Sequence, residues 1–300
     1  MTENVTSLNL KSSIKYTKHS ASSIVRETLE KISDHGIESQ PRGLKVRELE
    51  LQHLVIDPNF PLPDFETRPF NFRYLMGEMA WYLTRDNHIE FIQNFSSFWD
   101  NIADQGGHVN SNYGKLLFSD QLQWALDSLK KDPNTRQAIS FVNQPKFQYE
   151  GNKDFVCTMY LNFWIRDNKL NMKVQMRSND IFYGFSYDAP FFAFVQQTMW
   201  HWLRDTYPDL ELGLYHHFAD NLHYYERHFD IADKILAENP TRLPYWFHLR
   251  EPLFNLNGGN LVVTSAGSNF MADVSNLINT QDSISQEEAK ETLKKYFFIQ

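Results

Sequence analysis

The sequence has 300 residues, a formal net charge of −8 and one cysteine, and apolar residues make up 42% of it. The acidic charge argues against a protein that coats nucleic acid, because such proteins need an excess of Lys and Arg to neutralise phosphates. One cysteine cannot form an intramolecular disulfide or a cysteine-based zinc or iron–sulfur site. No apolar segment suits a signal peptide or a membrane span, so we expect a cytoplasmic protein without a membrane or nucleic-acid partner.

Nothing in the pattern separates two halves, so we predict one domain over residues 1–300, with residues 1–20 loosely ordered. A strand is predicted over 45–56, and the Gly, Asn and Ser residues of 105–114 predict a loop. Helices are predicted over 21–36, 71–83, 88–103, 122–129 and 190–203, the last beginning near a proline.

A β-hairpin is predicted in the middle of the chain. Its strands are 155–165, rich in aromatic and branched residues, and 170–176, which alternates cleanly, and residues 167–169 (Asp-Asn-Lys) supply the turn. A last helix should begin at Ser285, which has capping-box spacing with Glu288. Mixed helices and antiparallel strands indicate an α+β fold.

Two residues are chemically unusual for their positions. Cys157 lies on the first strand of the hairpin, where a free cysteine is either a small buried hydrophobe or a nucleophile. Glu78 lies in the apolar helix over 71–83. A carboxylate there either points to water or is a buried general acid/base with a raised pKa.

Other polar residues suit a phosphorylated sugar. Arg177 and the adjacent Ser178 could bind a phosphate, although an ordinary salt bridge at a strand end is an alternative. His223 and Tyr225 share a face if they lie on a strand, and could bind a sugar hydroxyl. Histidines also occur at positions 216, 217 and 228. We predict no metal site, because no carboxylate or cysteine accompanies them at ligand spacing.

The order and spacing of these residues resemble the thymidylate synthase superfamily. The shared motifs are residues 77–83 (Gly-Glu-Met-Ala-Trp-Tyr-Leu), 154–158 (Asp-Phe-Val-Cys-Thr), 176–180 (Met-Arg-Ser-Asn-Asp), 184–188 (Gly-Phe-Ser-Tyr-Asp) and 223–225 (His-Tyr-Tyr). The resemblance covers roughly residues 42–230. It implies one catalytic α+β domain with a large mixed or antiparallel sheet, flanked by helices, and a sheet face at a homodimer interface.

Within the superfamily the chain is similar to the bacteriophage deoxycytidylate hydroxymethylases. The loop 109–114 and the segment around Cys157 are similar to theirs, and Asp188 stands where thymidylate synthases carry an asparagine that reads uracil. A carboxylate accepts from the N4 amino group of cytosine and stabilises a proton on N3, whereas it would oppose the O4 acceptor of uracil. Asp188 therefore favours cytosine, by about 1–3 kcal/mol or more.

The resemblance implies a role for each site residue. The Cys157 thiolate adds to C6 of the pyrimidine, Asp188 supports N3 protonation, and C5 takes a one-carbon unit from 5,10-methylenetetrahydrofolate while Glu78 relays protons. The residues implied to bind the nucleotide are Arg177, Ser178, Asn179, Asp188, His223, Tyr225, Arg42 and Arg136 of the partner subunit. The residues implied to bind the folate are Trp99, Tyr113, Asp180 and Gly184.

The chain departs from the family pattern at two points. Gln137 stands where the family has a second adjacent arginine. Either the phosphate is bound less tightly, or another cation, Arg42 or Lys45, compensates. Residues 297–300 do not match the family's C-terminal segment, which leaves 231–300 the least secure part of the interpretation.

Three functions compete. The first is a folate-dependent deoxycytidylate (or cytidylate) 5-hydroxymethyltransferase, and the second is a C5-methyltransferase of the same fold acting on dCMP or dUMP. The third is a non-catalytic nucleotide- or RNA-binding member of the superfamily. The intact set of Glu78, Cys157, Arg177 and Asp188 speaks against the third.

Overall fold

The computed structural model describes residues 18–239, 243–280 and 283–300. The predicted loose order of residues 1–20 falls largely on residues outside these ranges. The helices are α1 (Ala21–His35), α2 (Phe72–Thr84), α3 (Glu90–Gln93), α4 (Tyr113–Leu117), α5 (Asp120–Lys131), α6 (Ser186–Leu203), α7 (Phe229–Ala237), α8 (Ser265–Thr280) and α9 (Gln286–Lys294).

The strands form one large mixed sheet and two small ones. They are β1 (Ile37–Ser39), β2 (Val46–Ile56), β3 (Ile139–Phe141), β4 (Thr158–Arg166), β5 (Lys169–Met176), β6 (Asn179–Asp180), β7 (Glu211–Tyr225), β8 (Phe247–Leu249), β9 (Phe254–Asn257), β10 (Asn260–Val263) and β11 (Phe297–Ile299). The large sheet has the order β1-β2-β7-β5-β4-β3, and β6 also pairs with β7. β7 runs parallel to β5 and β6, whereas the other pairs are antiparallel. The predicted α+β fold is confirmed.

Helix α6 covers one face of the large sheet. Its Phe192 ring packs against Tyr215 of β7, and its Gln196 amide donates to the carbonyl of Leu170 at 3.0 Å. The opposite face presents less buried residues, among them His53 stacked on Phe218 at 4.1 Å. The homodimer that would cover this face remains a prediction.

The predicted hairpin is confirmed. β4 and β5 pair from Arg166↔Lys169 onward, and the two residues between them, Asp167 and Asn168, both have positive φ (51° and 56°). Short polar residues tolerate this left-handed conformation and match the twist of the strands that they join. The alternation in 170–176 buries Leu170, Met172, Val174 and Met176, as predicted.

Helix α2 lies within the core, as its apolar sequence predicts. Asn71 caps its first turn by accepting from the amide of Tyr74 at 2.9 Å. The helix ends at Arg85, which adopts a left-handed conformation with φ of 55°. Gly114 of α4 packs so closely on α2 that a Cβ there would lie 1.7 Å from the Tyr82 carbonyl oxygen.

Three predicted helix and loop boundaries are wrong. The predicted helix over 88–103 is the short α3 followed by a 3-10 turn, Ser97–Asn101, because Ser96 is extended and caps the amide of Phe98. The predicted loop 105–114 ends two residues early, where Asn112 caps α4. Helix α6 begins at Ser186, four residues before Pro190, because it continues directly from the turn Ile181–Phe185.

The C-terminal region packs on the elements before it. The capping box of Ser285 and Glu288 is present at the start of α9, as predicted. β8 and β11 pair, and Phe247 and Phe297 stack at 4.5 Å. None of α7, α8 or β8 to β11 was predicted as a separate element. No helix in the described ranges is both long and apolar enough to cross a membrane.

Buried Gln197 of α6 bonds to two other segments of backbone, the loop at Pro58 and strand β8. Its amide donates to the carbonyls of Pro58 (2.8 Å) and Phe247 (3.0 Å) and accepts from the Leu249 amide (2.6 Å). In Gln197→Leu these buried groups lose their partner, so we expect the free energy of unfolding to fall by about 3 kcal/mol. Urea denaturation would measure this, with exposed Gln148→Leu as the control. Equal stability of the two variants would contradict the assignment.

Candidate active site

Cys157 lies one residue before β4, not within the strand as predicted. Residues 154–157 leave the ladder because the carbonyls of Phe155 and Val156 accept from the Arg177 guanidinium, while the carbonyl of Cys157 accepts from the amide of Arg177 at 2.9 Å. The thiol is free and half-buried. Burial raises the pKa of Cys157, and the positive charge of Arg177, whose Nη2 lies 3.5 Å from Sγ, opposes that rise.

Arg177 holds the segment that carries the cysteine. Its Nη2 donates to the carbonyl of Phe155 and its Nε to that of Val156 (3.2 Å), and its guanidinium lies 4.7 Å from the centre of the Phe155 ring. The alternative of an ordinary strand-end salt bridge does not fit, because these partners are carbonyls and a ring. Ser178 follows directly and is half-buried.

A second anchor of this segment was missed by the sequence interpretation. Buried Asp154 accepts from the backbone amides of Asn110 (2.6 Å) and Ser111 (2.7 Å) and from the Ser111 hydroxyl (2.8 Å). Burial raises the pKa of Asp154, and the bonds from Ser111 and Asn110 oppose this. The carboxylate therefore ties loop 105–112 to the cysteine segment. Its only sequence signal was its place three residues before Cys157.

Glu78 is buried in α2, with 7% of its surface exposed, so the interpretation as a water-facing residue is wrong. Tyr74, one helical turn earlier, donates to Glu78 Oε1 at 2.9 Å. Burial, and then the charge of Asp188, raise the pKa of Glu78 to about 8. At neutral pH Glu78 therefore holds a proton. The i, i+4 spacing of Tyr74 and Glu78 is the sequence signal of this contact.

Asp188 lies in the first turn of α6, half-buried on the same side as Glu78. Asn179 of β6 donates from Nδ2 to Asp188 Oδ2 at 2.7 Å. Burial raises the pKa of Asp188 to about 7, and the bond from Asn179 opposes this rise. Gly184 makes the contact possible, because a Cβ there would lie 2.6 Å from Asn179 Nδ2. Gly184 thus lies against Asn179 and Asp188, and its contact with folate stays a prediction.

His223 and Tyr225 share a face at the end of β7, as the strand prediction requires, with ring centres 5.2 Å apart. His223 also accepts or donates at Nδ1 with Asn221 at 2.9 Å. Burial lowers the pKa of His223 to about 4, and the charge of Arg42 acts in the same direction. The ring is therefore neutral at pH 7. The Arg42 charge also acts on the thiol of Cys157, which puts this exposed arginine on the cysteine side of the site.

The residues expected to contact folate lie in different environments. Trp99 is 5% exposed and packs edge-on against Trp81 at 4.7 Å. Tyr113 is buried and accepts from the Thr158 hydroxyl at 2.9 Å. Burial raises its pKa well above the usual value, and the charges of Asp188 and Cys157 add to this, so its phenol faces the site.

Asp180 supports the loop that follows β6. Its Oδ1 accepts from the amides of Phe182 (2.6 Å) and Tyr183 (3.2 Å), which closes the turn Ile181–Phe185. Burial raises the pKa of Asp180 to about 6. This geometry gives Asp180 a role in holding the loop, and its contact with folate stays a prediction.

Arg136 does not approach Cys157 within one chain. It is exposed, in the turn before β3, and β3 pairs with β4 so that Ile139 lies opposite Asn162. This register puts Arg136 near the far end of β4, roughly 25 Å along the strand from Cys157. Its donation to the site of a partner subunit remains a prediction. Among the described residues no cluster of His, Cys, Asp and Glu could hold a metal ion.

Comparison with known proteins agrees with this geometry. The model of the thymidylate synthase family matches residues 24–258. The deoxycytidylate 5-hydroxymethyltransferases of Enterobacteria phages T4 and T2 are each 31% identical to the chain over 174 residues, which are 54% of this chain and 71% of those proteins. A deoxyuridylate hydroxymethyltransferase of Bacillus phage SP01 is 28% identical over 205 residues, 62% of this chain and 52% of that protein. Because the family model spans most of the chain, this protein belongs to the thymidylate synthase family of one-carbon transferases.

Proposed function

We propose that this protein is a folate-dependent deoxycytidylate 5-hydroxymethyltransferase. The single observation that carries the choice of base is Asp188, a carboxyl group with a pKa of about 7 in the first turn of α6, held by Asn179 at 2.7 Å. The similarity to two deoxycytidylate 5-hydroxymethyltransferases supports the same choice.

Cys157 is the nucleophile of the proposed reaction. Its thiolate adds to C6 of the pyrimidine, and this addition makes C5 an enamine-like nucleophile, which divides one difficult step into two. Burial disfavours the thiolate, and the Arg177 guanidinium 3.5 Å from Sγ compensates in part. The hydrogen bond from Arg177 N to the Cys157 carbonyl fixes the backbone that carries the sulfur.

Asp188 reads the cytosine ring and shares a proton with it. A pKa of about 7 lets the carboxyl group exist in both protonation states at neutral pH. Ionised, it accepts from the N4 amino group and stabilises a proton on N3, and that proton spreads the charge that develops after the thiolate adds.

Glu78 holds and moves protons on the other side of the site. With a pKa of about 8 it is protonated at neutral pH, and the Tyr74 phenol fixes its Oε1. A protonated carboxyl group can donate through an ordered water, and the carboxylate that remains can activate a water for the hydroxyl group of the product.

The nucleotide is held at its phosphate and its sugar. Arg177, Ser178 and Arg42 supply the donors for the phosphate, together with Arg136 of the partner subunit in the proposed homodimer. Neutral His223 and Tyr225 supply the partners for the sugar hydroxyl.

The folate co-substrate, 5,10-methylenetetrahydrofolate, would supply the one-carbon unit at the oxidation level of formaldehyde. The donor set of the site fits such a group. Buried Trp99 has an indole N–H close to the Tyr74 phenol, with no well-formed hydrogen bond to a described residue. Asp180 keeps Oδ1 for the amides of Phe182 and Tyr183, which leaves Oδ2 for the N–H groups of a pterin. The phenol of Tyr113 is close enough to Cys157 and Asp188 for the charges of both to act on it.

A second candidate is the same chemistry on deoxyuridylate. The specific observation in its favour is the similarity to the deoxyuridylate hydroxymethyltransferase of phage SP01. Protonated Asp188 offers one donor and one acceptor, as an asparagine does, and that pair also matches uracil.

The first test is the release of tritium from C5 of labelled dCMP, CMP and dUMP in the presence of methylenetetrahydrofolate. We expect release from dCMP without formation of dihydrofolate, and a loss of at least roughly 1,000-fold in Cys157→Ser, because the nucleophile is removed. Binding of dCMP by Cys157→Ser, measured by calorimetry, controls for folding. Unchanged turnover in this variant would sink the proposal, and stoichiometric dihydrofolate would identify a methyltransferase instead.

Asp188→Asn tests how the base is read. An asparagine amide supplies the acceptor and donor that uracil needs, so the preference for dCMP over dUMP in kcat/KM should fall by roughly 10- to 100-fold. Steady-state kinetics with both nucleotides would measure the ratio. Asp273→Asn, which removes the same charge from a site bonded to Tyr296 (2.7 Å), should leave the ratio unchanged. A ratio equally unchanged in Asp188→Asn would refute the role of Asp188.

The pKa of Glu78 predicts how stability depends on pH. The native state keeps a proton up to about pH 8, whereas the unfolded chain releases it near the usual value of 4.5. The stabilisation is therefore complete below about pH 4.5 and is lost as the pH rises toward 8. Relative to Glu78→Gln, wild-type stability should decline between these values by at most about 1.4 kcal/mol per pH unit.

Urea denaturation of both proteins at several pH values would test this. The exposed Glu150→Gln is the matched control and should run parallel to the wild type. A pH-independent difference between wild type and Glu78→Gln would show that Glu78 is ionised in the native state.

A further inference from the structure

A row of three polar side chains lies behind Asp188. The Tyr215 hydroxyl is 2.6 Å from His217 Nδ1, His217 Nε2 is 3.1 Å from Asn179 Oδ1, and Asn179 Nδ2 is 2.7 Å from Asp188 Oδ2. Tyr215 and His217 are fully buried and Asn179 is 4% exposed. The row therefore connects the interior of the sheet to the carboxyl group that reads the base.

The chemistry of each group gives the hydrogen bonds of the row one direction, with each group donating toward Asp188. Asn179 donates to the Asp188 carboxylate, so its Oδ1 faces His217, and an amide oxygen only accepts. His217 must then donate from Nε2. Burial lowers the pKa of His217 to about 3, so the ring is neutral and its Nδ1 is an acceptor. Tyr215, whose pKa is raised well above its usual value by burial, keeps its proton and donates it to Nδ1.

Hydrogen bonds in the reverse direction, donated away from Asp188, are possible for every member of the row except Tyr215. A flipped Asn179 would present its oxygen to a protonated Asp188, and His217 would then donate from Nδ1. The Tyr215 hydroxyl would have to accept, which leaves its own hydrogen buried without an acceptor among the described residues. Burying an unpaired donor is unfavourable, so the phenol at the end of the row fixes its direction.

The direction matters because both bases can pair with a protonated carboxyl group. Cytosine needs an acceptor opposite its N4 amino group and a donor opposite N3, whereas uracil needs a donor opposite O4 and an acceptor opposite N3. The two requirements differ only in which carboxyl oxygen carries the hydrogen. The hydrogen bond from Asn179 Nδ2 to Asp188 Oδ2 disfavours a proton on Oδ2. The hydrogen of a protonated Asp188 therefore lies on Oδ1.

We propose that Tyr215 and His217 are positioning residues that, through Asn179, hold Asp188 Oδ2 as the acceptor for the C4 substituent and so make the site select cytosine over uracil. This inference rests on the proposed function for the identity of the base. It goes beyond that function because the selection is assigned to the buried pair and not to Asp188 alone.

Calorimetric affinities for dCMP and dUMP test the proposal without requiring turnover. The wild type should bind dCMP more tightly. Tyr215→Phe removes only the hydroxyl that fixes the direction, so the dCMP-to-dUMP affinity ratio should fall by about 5- to 30-fold. The matched control is Tyr207→Phe, whose lost hydroxyl donates to the Leu129 carbonyl at 2.8 Å. Its ratio should equal that of the wild type.

A second pair of variants covers the case in which Tyr215→Phe does not fold. His217→Gln keeps a donor that can reach Asn179 and should retain the ratio within about 3-fold, whereas His217→Leu should lose it. In protein labelled with nitrogen-15 histidine, the resonance absent from His217→Gln identifies His217. That resonance should report the tautomer protonated at Nε2.

Several outcomes would overturn the proposal: a wild type that does not prefer dCMP, a ratio in Tyr215→Phe and His217→Leu that equals the wild type, or a His217 protonated at Nδ1. If the dCMP-to-dUMP affinity ratio falls in these variants but C5 tritium is never released, the proposed function is wrong and the positioning role of Tyr215 and His217 is supported. If tritium is released from dCMP but the affinity ratio is unchanged in these variants, the positioning role is wrong and the proposed function is supported.

Discussion

Desolvation of two carboxyl groups is the constraint on which this site depends. Glu78 on α2 and Asp188 on α6 lie in a largely apolar environment, and burial raises their pKa values to about 8 and about 7. Among the described residues, no cation neutralises either side chain. Each is instead met by neutral donors, the Tyr74 and Tyr82 phenols at Glu78 and the Asn179 amide at Asp188. Such partners orient a carboxyl group and still let it gain and lose a proton near neutral pH, as acid–base catalysis requires.

The large sheet positions the groups that act with these carboxyls. Arg177, at the end of β5, binds the backbone around Cys157 through its own amide and its guanidinium. β7 contributes two pairs of residues. Tyr215 and His217 are buried beneath α6, whereas His223 and Tyr225 lie at the end of the strand. One long strand thus links the buried groups behind Asp188, the proposed base-reading residue, with the proposed sugar site.

The relatives named above act on different bases, two on deoxycytidylate and one on deoxyuridylate. A carboxyl group with a pKa near 7 can in principle pair with either ring, because its hydrogen can lie on either oxygen. The row formed by Tyr215, His217 and Asn179 would remove that ambiguity by fixing the direction of the hydrogen bond that reaches Asp188 Oδ2. Base selection would then be a property of the buried network as much as of the residue that touches the base.

Local chemistry allowed much of this protein to be predicted from its sequence. The hairpin turn at Asp167 and Asn168, the capping box of Ser285 and Glu288, and the buried helix around Glu78 each follow from residues a few positions apart. The order of the motifs indicated the family, which the comparison confirmed. The break between α3 and the turn at Ser97 was missed, because the extended backbone of Ser96 overrides the apolar pattern around it.

Only the tertiary structure decided which polar groups meet across the chain. Asp154 bonds to Ser111, 43 residues away, and His217 bonds to Asn179, 38 residues away. No local pattern encodes such pairs. Burial likewise decided that Glu78 keeps its proton and that His217 does not gain one, since the free energy of a charge depends on the solvent that the fold removes. The sequence determined which chemical groups are present, and the packing of α2, α6 and β7 determined their protonation states and partners.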